Sequence, residues 1–478
     1  MTIRQTILLG SFLGMLLSPS PHHTFLATPA SLAHKDAVSP HLHVDSSGAF
    51  YLLWQDVQDS QAGRVFFMRS LDRGQSWAPE AYELDRDKPS GARSSSPRLA
   101  SDGHGNVYAA WWTKYRDGKK DVLVRTSRDG GASFGPAVKV NLEHGAFPPE
   151  VSADGKGHLY VVWSDERTAG GDESQRGRSA GHRLYVNRSD DYGATWLAQD
   201  LQLSGEASSQ GRVMQAWPQV RSDDQGHVYV IWFDTRDGGG SIYFRASDDF
   251  GRTWREERRV KGGAGDVEGP MEMAADAQGH LYIAWADNRE GEYGIYLVAS
   301  TDHGRTWSQE VRLDVAKAKA SRASLPTLAA DPAGHVYVAW QDARHGGWDI
   351  YLNLSSDFGK TWRPAGVRLN TGSPGEAEAR LPRLALDGQG TMAVAWQEDR
   401  GADQQEGIYL IGSADFGQTW LTPDIRVDDQ PSGGAAVNPQ IAMRQDGTAV
   451  IAWEVARHAR KEIAVEVLAP RLRQTSTR

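Results

Sequence analysis

Hydrophobic and polar positions follow one another along this chain in short blocks, with no helical stripe. Runs such as Tyr160-Val-Val-Trp163, Tyr229-Val-Ile-Trp232, Tyr282-Ile-Ala-Trp285 and Tyr337-Val-Ala-Trp340 are β-branched and aromatic, and Gly and Asp bound them. That pattern predicts short strands buried on both faces. Tyr51-Leu-Leu-Trp54 and Tyr108-Ala-Ala-Trp111 open the series, and Ala393-Val-Ala-Trp396 and Val450-Ile-Ala-Trp453 extend it to eight. A strand opened by proline precedes each one, at Pro40, Pro97, Pro149, Pro218, Pro326, Pro382 and Pro439, with Pro270 displaced by one residue. Proline is tolerated at the first residue of a strand, and the Asp-x-x-Gly that follows suits a hairpin turn. These turns offer too few acidic ligands to read as calcium loops.

A third strand follows, as in Ile242-Tyr-Phe-Arg-Ala246, and a fourth, as in Val311-Arg-Leu313. Between them lies an octapeptide, Ser-x-Asp-x-Gly-x-Thr/Ser-Trp/Phe, seen for example as Ser355 to Trp362. Its aspartates are Asp72, Asp129, Asp191, Asp249, Asp302, Asp357 and Asp415, at steps of 57, 62, 58, 53, 55 and 58 residues. A period of this size marks a repeat architecture. The expected fold is therefore all-β: a single β-propeller of four-stranded antiparallel blades, with the octapeptides on the turns between the third and fourth strands. Eight blades are expected and seven are the alternative, because seven octapeptides accompany eight Trp strands.

Composition adds to this picture at the edges. Abundant Gly (51) and Trp (17) suit short strands and tight turns, and the formal charge of -9 argues against a nucleic-acid partner. The apolar run Thr6 to Leu17 behind a basic start is too short to span a bilayer comfortably and reads as a secretory signal within residues 1–33. Thr24 to Leu32 could alternatively supply a strand that closes the ring. The propeller is then expected over 34–469, with a disordered tail over 470–478. Without cysteine there is no disulfide and no lipid attachment, so a soluble, periplasmic or secreted monomer with no stable membrane anchor is expected. No cofactor or metal is expected.

The octapeptide resembles the Asp box, or bacterial neuraminidase repeat (BNR), of the sialidase-like propeller superfamily, and the resemblance covers nearly the whole chain after the apolar start. It implies a structural turn, since seven near-identical carboxylates around a ring cannot all serve one reaction. Function is then sought on the opposite face, where the Trp strands end. A charged signature recurs there: Asp165/Arg167, Asp234/Arg236, Asp287/Arg289 and Asp342/Arg344, with Glu398, Asp399 and Arg400 in the seventh unit. One reading is a set of Asp–Arg bridges stitching neighbouring blades. The other is a ring of guanidinium groups that grips carboxylates bidentately.

The stretch Ala379-Arg-Leu-Pro382 is similar to the Arg-Ile/Leu-Pro segment of true sialidases, which implies for Arg380 a place in a carboxylate-binding arginine triad. The other two arginines, the Tyr–Glu nucleophile pair and the acid/base Asp of that family have no counterpart identified here. The strand-three tyrosines Tyr243, Tyr296, Tyr351 and Tyr409 read as core. Trp-to-octapeptide spacing is 15 to 17 residues in six units and 26 in the third, whose excess falls in 168–182, a loop over the same face. The expected function is binding of a glycan, or of an envelope or extracellular protein. A sialidase-like exo-glycoside hydrolase is the alternative.

Overall fold

The computed structural model describes residues 24–26, 36–58, 62–166, 181–205, 213–261, 265–314, 322–400, 405–428, 434–457 and 460–468. They form eight four-stranded antiparallel sheets. Within a sheet the strands, A to D, pair in chain order; blade 4, for instance, runs Gln215–Ser222, Val228–Asp234, Ser241–Ser247 and Arg258–Arg259. Each A strand touches the A strand of the next blade, and that of blade 8 (Ala436–Met443) touches that of blade 1 (Ala37–Val44), so the A strands form a closed inner ring. The molecule is an eight-bladed β-propeller. The eighth blade takes its outermost strand from the other end of the chain. Thr24–Leu26 pairs antiparallel with the last strand, Arg460–Leu468, in the register Thr24 to Val465 and Leu26 to Ile463.

Eight apolar clusters occupy the spaces between neighbouring blades, and the B-strand tryptophans Trp54, Trp111, Trp163, Trp232, Trp285, Trp340, Trp396 and Trp453 are among their largest fully buried side chains. Truncation of such an indole to Ala costs about 3–5 kcal/mol. Burial on both faces explains why B and C strands read as continuous apolar runs without alternation.

The octapeptide spans the C–D turn and is held by its own side chains. In blade 6, Ser355 Oγ donates to Asp357 Oδ1 (2.8 Å), the Thr361 amide donates to the same oxygen (2.8 Å), and Thr361 Oγ1 donates to Oδ2 (2.6 Å). Gly359, at φ 78°, donates its amide to Ser355 Oγ (2.9 Å). The residue before the glycine also has positive φ, and its ring reaches the neighbouring blade. Phe250, His303, Phe358 and Phe416 stack on His158, His227, His280 and His335 at centroid distances of 4.3, 4.0, 4.5 and 4.3 Å. Each of those histidines sits in the A–B turn of the preceding blade, with its Nδ1 on the turn aspartate. The octapeptide is therefore both a turn and a clasp between blades.

Candidate functional site: the central channel and its mouth

The A strands decide what faces the axis, and they do so through a bulge. Register shifts by one residue between Val38 and His41, and likewise at 95/98, 216/219, 324/327, 380/383 and 437/440; between Glu268 and Glu272 it shifts by two, which accounts for the displaced Pro270. The residue before proline lies in the left-handed region at each bulge: Ser39, Ser96, Trp217, Gly269, Leu325, Leu381 and Asn438, with φ between 50 and 71°. Such a bulge re-aims the strand, and for a non-glycine residue the conformation costs about 1–2 kcal/mol. Neighbouring blades hold the bulges in place. The amides of Leu381, Asn438 and Ser39 donate to Gln341, Gln397 and Glu454, each the residue after the preceding blade's Trp, at 3.1, 3.0 and 2.8 Å.

One residue past each proline, or two past the displaced Pro270, a ring of eight side chains results: His41, Arg98, Glu150, Gln219, Glu272, Thr327, Arg383 and Gln440, each paired with the equivalent B-strand position. Their electrostatic coupling runs across the ring. His41 of blade 1 feels Arg98, Arg221 and Arg383 of blades 2, 4 and 7, and Glu272 of blade 5 feels Arg383 and Arg221. Residues from such distant blades approach one another only at the axis, so these side chains line the channel just inside its mouth.

Pairing around the ring is uneven. Arg98 Nε meets Glu150 Oε1 at 2.6 Å, and Glu150 is the main reason its guanidinium is held more firmly protonated. Gln219 bridges blades 4 and 5, donating to Met271 O (2.7 Å) and to Glu272 Oε2 (3.3 Å) and accepting from the Met273 amide (2.8 Å). Arg221 and Arg383 each donate to the carbonyl of the preceding residue and form no ion pair among the described residues. Burial pushes Glu272 above the usual carboxylate range against the pull of Arg383 and Arg221, and burial likewise weakens the hold of Arg383 on its proton. Burial, reinforced by Arg98 and the other cations, pulls His41 down to about 3, so its imidazole is neutral near neutral pH. With His41 uncharged, the arginines Arg98, Arg221 and Arg383 outnumber the carboxylates Glu150 and Glu272, and Arg221 and Arg383 are not ion-paired to either. The arrangement can receive a carboxylate or another anion.

The mouth adds an apolar surface. Trp217, on the blade 4 bulge, is 43% exposed and leans on Phe233 at a centroid distance of 5.1 Å. An exposed indole beside an arginine-lined channel suits the C–H face of a sugar ring.

The charged signature after the Trp strands has a different part. Asp234 accepts from Trp232 Nε1 (3.1 Å), Gln215 Nε2 (2.9 Å) and the Arg236 amide and Nε (both 2.8 Å). Arg236 lies over Tyr243 at 4.4 Å and binds Glu257 at 2.5 Å. Arg289 repeats this on Asp287, Tyr296 and Glu310, and Arg344 on Asp342 and Tyr351. Arg400 lies over Tyr409 at 3.9 Å with Asp424 at 2.7 Å, and Asp399 accepts from the Glu378 amide at 2.8 Å. Asp165 is fully buried and takes the Trp163 indole at 3.0 Å, while Arg167 lies outside the described residues, as does most of the 168–182 loop. The described pairs of blades 4 to 6 close on their own blades, which corrects the expectation that they stitch neighbours: one residue separates each Asp from its Arg at a strand end, and the guanidinium folds back over the tyrosine of strand C. Stitching between blades brings in further residues, such as Lys261 of blade 4, which reaches Asp287 of blade 5 at 3.4 Å.

Arg380 stands apart from the channel arginines. It precedes the bulge, its side chain is 43% exposed, and it pairs with Glu378 at 2.6 Å. Arg383, three residues on, is the one in the ring. Its signal was present in the sequence, as a charged residue directly after an inner-strand proline. The same signal marks His41, Arg98, Glu150 and Glu272 once the displaced Pro270 is allowed for. Among the described residues no group of three or more His, Asp or Glu side chains is arranged to hold a metal ion.

Comparison with known proteins follows the same lines. The BNR repeat-like domain family matches residues 157–374. No curated protein sequence matches the chain. Among solved structures, a protein of unknown function from Dyadobacter fermentans shares 14% identity, with 93% of this chain and 97% of that chain covered and a TM-score of 0.45. An alpha-L-arabinanase of Penicillium chrysogenum shares 17% (68% and 93% covered, TM-score 0.38). The intramolecular trans-sialidase of Ruminococcus gnavus shares 14% (95% and 98% covered, TM-score 0.37). With its octapeptide repeats, its eight four-stranded blades and a match to the BNR repeat-like domain over residues 157–374, this chain is an eight-bladed β-propeller similar to BNR-repeat propellers.

Proposed function

We infer that this chain is an extracytoplasmic binding propeller whose ligand is an acidic glycan, or a protein carrying exposed carboxylates, held at the mouth of the central channel. One observation carries this reading: Arg221 and Arg383 lie in the channel without an ion-pair partner among the described residues, in a ring where the third arginine is matched by Glu150. A buried guanidinium without a counter-ion is costly, and a ligand carboxylate meets that cost with bidentate hydrogen bonds. Trp217 at the rim supports a saccharide over a small free acid. The apolar run at the start of the sequence supports export.

A second reading has an observation of its own. Glu150 is ion-paired with Arg98, while burial raises Glu272 in the same ring. A pair of carboxyl groups in different surroundings is what glycoside hydrolysis uses. The two readings separate in one experiment. The protein is offered a set of sialyl- and uronyl-oligosaccharides on an array and, in parallel, fluorogenic sialosides and uronides. Binding without turnover, lost in Arg383→Ala, supports the binding propeller. Turnover abolished by Glu272→Gln establishes the hydrolase, and the absence of both binding and turnover overturns the site.

A further inference from the structure

Blade 2 lacks the closure that blades 4 to 7 carry at the ends of their Trp strands. In blades 4 to 7 a guanidinium lies 3.9–4.4 Å above the strand C tyrosine and fills the space over the strand end. Blade 2 has none of the three parts. Thr113 stands where those blades have a carboxylate, Tyr115 where they have arginine, and Leu123 (opposite Trp111) where they have tyrosine. The buried indole Nε1 of Trp111 is left without a hydrogen-bond partner, whereas those of Trp232, Trp285, Trp340 and Trp396 are all bonded to a carboxylate.

A cavity of about 420 Å³ lies in this region, with Pro89 and Ala92 as apolar wall and Tyr115, Asp121 and His144 as its polar one. A volume of that order is within the range of small-molecule sites. The polar groups are preorganised. Asp121 is buried, its Oδ1 lies 2.7 Å from His144 Nδ1 and 3.2 Å from Lys139 Nζ, and Tyr115 is hydrogen-bonded to it. A carboxylate only accepts, so His144 Nδ1 donates to Asp121, and Nε2 is the ring's other polar atom. The Tyr115 hydroxyl, pushed up to about 12 by burial and by Asp121, remains a neutral group. At the rim Lys119 binds Asp117 at 3.0 Å, and the Arg116 guanidinium lies against Gly91.

We propose that this blade 2 cavity is a second ligand site, separate from the channel, that takes a neutral hydroxyl-rich ring of pyranose or furanose size. The grounds are its volume, its mixed donors and acceptors fixed around Asp121 and its apolar wall, with Asp121 already matched by Lys139 and Asp117 by Lys119. Hydroxyls, which both donate and accept, match the Tyr115 and His144 edge, and the C–H face of the ring lies on Pro89 and Ala92.

The test is saturation-transfer NMR on the whole protein with neutral methyl glycosides of glucose, galactose, mannose, rhamnose and arabinose, and methyl glucuronoside measured beside them. Transfer to the ring protons of at least one neutral glycoside is expected. It falls at least tenfold in a variant that rebuilds the plug, Thr113→Asp with Tyr115→Arg and Leu123→Tyr, and severalfold in Tyr115→Phe, which keeps the ring and folds without new charge. His303→Phe on the opposite face retains the wild-type signal. Absence of transfer from every neutral glycoside, or equal transfer in the rebuilt and wild-type proteins, overturns the proposal. Transfer to the glucuronoside reports on the channel and survives the rebuilding, so the two sites fail independently.

Discussion

Replacing Asp234 by threonine tests whether the charged signature is scaffold or site. Asp234 is fully buried and accepts from Trp232, Gln215 and Arg236, whose guanidinium it shares with Glu257. Its loss orphans an indole N–H and an amide N–H, each worth about 1–3 kcal/mol when unsatisfied and buried. It also leaves a nearly buried guanidinium with one partner in place of two. The terms overlap, so the expected loss is about 3–5 kcal/mol, the usual cost of breaking a buried pair from one side. Blade 2 shows how the remainder can be relieved, since there threonine is accompanied by tyrosine in the arginine position. Adding Arg236→Tyr to Asp234→Thr should therefore recover about 1–2 kcal/mol, a coupling readable from the double-mutant cycle. Urea unfolding followed by tryptophan fluorescence gives the midpoints, and array binding of the acidic glycans gives the function. Should Asp234→Thr move the midpoint by less than about 0.5 kcal/mol, or abolish binding while stability stands, the structural assignment is wrong.

Arg383→Ala should reduce binding of a carboxylate ligand at least tenfold while Arg380→Ala changes it less than twofold, measured by calorimetry, since one group faces the channel and the other pairs with Glu378. His303 has its pKa lowered by burial first and then by the stacked His227, so the unfolded chain binds that proton more readily. Its contribution to stability is whole above the unfolded value near 6.5 and is lost as pH falls below it. His303→Phe should flatten the stability profile as pH falls below about 6.5 in thermal unfolding scans. Asp191 is drawn down to about 2, first by the Thr195 amide, so its contribution is present above about pH 4 and is lost as pH falls toward about 2. Because that carboxylate is largely exposed, Asp191→Asn should cost no more than about 1 kcal/mol by urea titration, and a larger loss would show that the turn is doing more than closing a hairpin.

What the amino-acid sequence determined here is whatever closes over short distances in the chain. The octapeptide binds its own Ser, Asp and Thr within eight residues, so its period alone announced four-stranded blades, and Ser355 to Trp362 could be read as a turn before any fold was known. The buried Trp strands were legible for the same reason, since burial on both faces leaves a continuous apolar run. The Asp-x-Arg pairs were visible as pairs, but which blade they served was not, because that depends on whether the guanidinium turns toward its own strand C or the neighbour's.

Only the tertiary structure decided the site. Arg98, Arg221, Glu272 and Arg383 come from four blades and meet at an axis that no local pattern encodes. The bulges at Ser39, Ser96, Trp217, Leu325, Leu381 and Asn438 place residues in the left-handed region that carry no glycine to announce it. That one extra residue separates Arg380, at the rim and paired with Glu378, from Arg383 in the channel. Side chains alternate along a strand with a period of two, so a one-residue insertion reassigns every position beyond it, and no reading of the sequence by alternation alone survives that step.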